Sequence, residues 1–114
     1  STYDGVLACG YGISWVDSSS YMLFVRKALT SCSSAKKYLP IDTVMSTQVL
    51  GNQNMRFKSS FDDVYITVPY GKTYIEGVSE TSTLPSSIEI ISSGQTSPGT
   101  FVSVYTTGKI DVTN

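Results

Sequence analysis

Along the chain, short apolar runs alternate with clusters of Gly, Ser, Thr, Asn and Pro, and the apolar positions tend to recur every second residue. That period belongs to strands, whose side chains point alternately to two faces. Residues 5–16 are rich in β-formers and hold Gly10 and Gly12 inside the run. Glycine within a strand marks a bulge or a place where another backbone or a large ring comes close. Residues 21–29 are the most apolar run, and their β-branched and aromatic content favours a strand over a short helix. Residues 41–50 carry Ile41, Thr43, Met45, Thr47 and Val49 on one parity. Residues 55–61 set Met55, Phe57 and Phe61 against Arg56, Lys58 and Ser60, and residues 64–68 set Val64, Ile66 and Val68 against Tyr65 and Thr67. Further strands are expected at 73–78, 87–91 and 101–106, with a last short one at 109–112.

The chain of 114 residues reads as a single domain, 1–114, cut from a longer chain. About eight main strands with frequent turns predict an all-β, antiparallel β-sandwich, of jelly-roll or other Greek-key form. If those strands alternate in direction, the turns at 17–20, 51–54, 70–72 and 92–99 gather at one end. The connections at 30–40, 62–63 and 79–85, with both termini, gather at the other. The first end would then collect Trp15, Asp17, Tyr21, Asn52, Gln53, Asn54, Tyr70 and Gln95. Rings beside amides and hydroxyls suit a sugar or a peptide, because rings stack and amides give fixed hydrogen bonds. Trp15, Asp17, Tyr21, Asn52, Asn54 and Tyr70 are therefore the candidate ligand-binding residues, although core packing for Trp15 and turn formation for Asn52 and Asn54 are the plainer roles.

Composition narrows the chemistry. Ser and Thr supply 32 of the 114 residues, charged residues only 15%, and the formal net charge is −1. The basic residues are scattered, and the dipeptides Arg26–Lys27 and Lys36–Lys37 read as solvated surface, so nucleic acid is not an expected partner. No run approaches the length of a membrane span, and no membrane insertion is expected. There is no His, which removes nucleophilic catalysis of the Ser–His or Cys–His type. The adjacent Asp62 and Asp63 would face opposite ways on a strand and could not act there as a pair on one substrate; in a turn they could cap or bind calcium. The expectation is a protein that is not an enzyme and carries no cofactor or metal.

Cys9 and Cys32 are the two cysteines. A first hairpin centred between Ser18 and Ser19 would set Cys9 opposite Ala28, leaving Cys32 roughly 13 Å further on. A disulfide then requires the chain after Leu29 to fold back; two buried thiols are the other reading.

Two stretches carry a resemblance: 2–8 (TYDGVLA) and 66–74 (ITVPYGKTY). The first resembles the opening of the small knob domains that end phage tail fibres, tail needles and related trimeric spikes, where Asp-Gly precedes an outer strand. The second resembles their late hairpin. These knobs form a jelly-roll group similar to tumour-necrosis-factor and C1q heads. The resemblance implies a homotrimer on a virion surface, or otherwise extracellular, joined to a shaft on its N-terminal side. Its far end would contact a host cell-surface glycan or protein, giving a receptor-binding role in host attachment. A structural module (capsid decoration, tail accessory or bacterial surface-protein sandwich) and a small monomeric lectin are the alternatives.

Overall fold

The computed structural model describes residues 2–28, 32, 35–51, 54–68, 71–75, 85–92, 94 and 99–113. Its strands are β1 (Thr2–Tyr3), β2 (Val6–Asp17), β3 (Ser20–Lys27), β4 (Thr43–Val49), β5 (Met55–Phe57), β6 (Val64–Thr67), β7 (Thr73–Ile75), β8 (Ser86–Ser92), β9 (Thr100–Val104) and β10 (Ile110–Thr113). They form an all-β antiparallel sandwich. One sheet runs β4-β3-β2-β6-β7 with β1 on β2, and the other runs β10-β9-β8-β5. Within the apolar run at 21–29 the chain is a strand up to Lys27, the end of β3, as its composition predicts.

Local chemistry explains the first hairpins. Asp4 and Gly5 both have positive φ (51° and 75°), as a type I′ turn demands, and Asp-Gly is a preferred pair for it. That turn makes β1, a strand too short to show in the sequence pattern. In the β2–β3 hairpin, Gly10 faces Arg26 and Trp15 faces Tyr21, one residue away from the register that a turn centred at Ser18–Ser19 would impose. Bulges fall between Ala8 and Gly10 and between Trp15 and Asp17, and each shifts the register again.

The inner faces of the sheets share a core of Phe57, Phe61 and Ile88, with Ile13, Trp15, Tyr21, Leu50, Ile90 and Val102 packed on it. The larger sheet has a second apolar cluster on its outer face. There Phe24 and Tyr65 are wholly buried, and Tyr38, from the connection between β3 and β4, lies edge-on to Phe24 at 5.3 Å. The glycines of β2 make room for these rings. A Cβ on Gly10 would come 2.5 Å from Tyr65 Cζ, and one on Gly12 would enter the Phe24 ring and lie 2.7 Å from the Val64 carbonyl oxygen. Gly12→Ala is therefore expected to cost about 1–3 kcal/mol through overpacking. Gly51→Ala, where a Cβ meets nothing within 4 Å, should stay within about 0.5 kcal/mol. Urea unfolding of both variants checks the contrast, and equal midpoints would refute it.

Three expectations need correction. The strand at 55–61 ends at Phe57, because the chain leaves the small sheet there and tucks the Phe61 ring against Phe57 at 5.3 Å. It then enters β6 halfway along β2, with Val64 opposite Ile13 and Thr67 opposite Gly10. The turn after β6 consequently lies beside Cys9, whose carbonyl accepts from Val68 N–H (3.2 Å), and not beside the β2–β3 turn. The C-terminal strand β10 returns along β9, with Thr113 opposite Phe101, so only the N-terminus keeps its predicted end.

Candidate functional site

The tip formed by the β2–β3 turn is held by its own hydroxyls. Asp17 Oδ1 accepts from Ser20 Oγ (2.7 Å), Ser19 N–H (2.9 Å) and Ser19 Oγ (3.2 Å). These donors, the Ser20 hydroxyl first, hold the Asp17 carboxyl below the usual carboxylate range. Two backbone bonds tie the turn to other strands: Leu50 N–H donates to Ser19 O (2.9 Å) and Phe57 N–H to Ser18 O (2.6 Å). The hairpin, the end of β4 and β5 are thereby fixed as one body, while Asp17, Ser18, Ser19 and Asn54 stay exposed.

The structure brings Trp15, Asp17, Tyr21 and Asn54 to this end, in different roles. Trp15 is half-buried on the inter-sheet core, and its indole N–H has no hydrogen-bond partner among the described residues. Tyr21 sits edge-on to Phe57 at 6.2 Å and belongs to the same core. Asp17 and Asn54 face outward. Asn52 and Tyr70, with Gln53 and Gln95, lie outside the described residues. Val68, the last described residue before the turn, is at the Cys9 end of β2, roughly 26 Å from Asp17 at the usual strand rise.

A polar network at the opposite, outer face escaped the sequence reading. Arg26 is 1% exposed, so the Arg26–Lys27 pair is half interior. Its guanidinium donates to both Asp42 oxygens and to the carbonyls of Ala35 and Lys37, and its Cζ lies 5.2 Å from the Tyr65 ring centre. Asp63 accepts from Ser14 Oγ (2.6 Å) and Tyr38 N–H (2.8 Å). The strand period held a signal: Arg26 shares the parity of Phe24, and a cation on an apolar face requires a buried partner.

Tyr65 has a buried hydroxyl with no hydrogen-bond partner among the described residues, and burial pushes its phenol above its ordinary value. A folded value above the unfolded one of about 10 means that this stabilisation is complete below that pH and lost as pH rises through the folded value. Tyr65→Phe removes both the unpaired group and this sensitivity. It is expected to leave neutral-pH stability equal or up to about 1 kcal/mol higher, and to flatten the alkaline loss. Denaturant unfolding across the alkaline range tests it; a loss above about 1 kcal/mol at neutral pH would show that the hydroxyl has a partner.

Cys9 and Cys32 are bonded, with Cα atoms 5.7 Å apart. Ala28 N–H donates to Leu7 O, so the β2–β3 ladder runs one residue past Lys27, and Cys32 lies back beside Cys9. Among the described residues, no three of His, Cys, Asp and Glu are grouped so as to hold a metal ion. No family model, curated protein or solved structure matches the chain.

Proposed function

We propose that the chain is a non-enzymatic, receptor-binding head of the phage tail-fibre or spike type, contacting a host-surface glycan or protein through the β2–β3 tip. The observation that supports this most is the rigidity of that tip. A polar surface already fixed by Asp17 and by backbone bonds to β4 and β5 loses little conformational freedom on binding. The interior carboxylates support a non-catalytic role, because Asp42 and Asp63 are committed to Arg26, Ser14 and backbone N–H groups. A bonded cysteine pair suits an oxidising location such as a virion or cell surface.

Ser18 is exposed, and among the described residues the fold uses its backbone oxygen and not its side chain. Ser18→Arg is therefore expected to abolish binding to host cells or envelope extract with the thermal midpoint unchanged. Undiminished binding by the folded variant would remove the tip from the proposal.

A second reading, an assembly module, is favoured by the edge strand β4. It leaves Val44, Met45 and Val49 exposed (42%, 40% and 66%), and an apolar edge invites a partner strand or sister subunit. Light scattering discriminates oligomeric states: a mass near three times 12.3 kDa fits a trimeric head.

A further inference from the structure

On one side of the sandwich the two sheets face each other without filling the space between them. A void of about 330 Å³ lies there, lined by Ile13, Val64 and Ile66 of the large sheet and Ile88, Val102 and Val104 of the small one. A second void of about 260 Å³ is lined by Ile13, Ile88 and Val102 as well, together with Phe57 and Phe61. Protein interiors close-pack and rarely leave spaces much larger than a water molecule. Spaces lined by aliphatic side chains stay dry, and an engineered void of about 150 Å³ takes up benzene.

We infer that this inter-sheet cleft is a binding site for an alkyl chain, entering beside Gly108 and Ile110. The lining selects the occupant. An alkyl chain asks for no hydrogen bonds and matches uncharged walls that are Ile and Val apart from Thr73 and Gly108. A peptide strand placed between these side-chain faces would leave its N–H and C=O groups unpaired, at a cost of several kcal/mol for each group on apolar transfer. The entrance is apolar and accessible: Ile66 is 42% and Ile110 62% exposed.

The probe is decan-1-ol, titrated into the intact domain up to its solubility limit. Trp15, the one Trp in the chain, packs on the Phe57–Phe61–Ile88 cluster that borders the second void, and its emission is the readout. Saturable binding is expected, weakened at least tenfold by Val104→Phe, which fills the first void, with the thermal midpoint equal or raised. Ile110→Asp, at an exposed position that the fold does not need, is expected to weaken binding at least fivefold and decides the matter if Val104→Phe does not fold. No saturable binding by the native domain would overturn the site, and so would undiminished binding by folded Val104→Phe or, where that variant fails, by Ile110→Asp. A domain that binds no alcohol and associates through this cleft, with Ile110→Asp dissociating it, would equally overturn the alkyl assignment by giving the cleft to a second copy.

Discussion

Asp42→Ala is expected to lower stability by about 3–5 kcal/mol, the range for stranding one member of a buried ion pair. Arg26 is 1% exposed and the Asp42 side chain fully covered. Arg26 Nη2 meets Asp42 Oδ2 at 2.8 Å, while its Nε reaches the other oxygen, so the pair is bidentate. The hydrogen bond to Asp42, more than their charge attraction, raises the Arg26 pKa above its usual value against the opposing effect of burial. Removing the carboxylate leaves a permanent cation facing Tyr65 and two carbonyls in a space closed to water. It also removes the acceptor of Leu39 N–H, which Asp42 Oδ2 holds at 2.8 Å. The double variant Arg26→Met/Asp42→Ala should be less destabilised than the sum of the two single changes, by a coupling of about 0.5–3 kcal/mol. Urea unfolding of the four proteins measures this cycle. An Asp42→Ala loss below about 1 kcal/mol would mean that the guanidinium finds water, and that the connection between β3 and β4 does not seal it.

The network matters for the fold because the outer face of the large sheet has no second sheet on it. Residues 35–42 do that work, through Tyr38 on Phe24, Arg26 on Ala35 O and Lys37 O, and Asp63 on Tyr38 N–H. Most of the strands were legible in the sequence, since alternation is a local signal: β2, β3, β4, β6, β8 and β9 fall where the pattern puts them. The glycine pair in β2 was legible too, as a place where rings approach, and Phe24 and Tyr65 are those rings. The pairing of strands was not. Whether residues 58–63 continue a strand or cross between sheets depends on what Phe61 meets, which is a tertiary fact, and that crossing sets the end at which the turn after β6 emerges. The candidate tip divides the same way. Aromatic residues near a turn suggested a ligand surface, yet Trp15 and Tyr21 are drawn into the core by Phe57, and the outward groups are the hydroxyls and acid of the turn itself.

Removing the Cys9–Cys32 bond is expected to cost about 3 kcal/mol, the loop-entropy value for a cross-link spanning a sequence separation of 23 residues. The bulge that contains Cys9 makes the bond possible, because an extra residue in a strand re-aims its side chain. The cost should appear in the unfolding free energy and leave the tip intact, since Cys9 and Asp17 sit at opposite ends of β2 and their environments share no partner. Cys9→Ala/Cys32→Ala is therefore expected to unfold at clearly lower urea concentration and yet to bind the same surface as the native domain at temperatures where both are folded. Thiol titration of the unfolded native protein with and without reductant establishes that the bond is present. A stability loss below about 1 kcal/mol in a protein shown to carry the bond would mean that the unfolded chain is already confined, with the Arg26 contacts or residual clustering holding β3 near the following connection. The two large effects are then not independent: both constrain the segment that follows β3. Asp42→Ala measured in the cysteine-free background should cost more than in the native one, because there the ion pair carries a larger share of what holds that segment on the sheet.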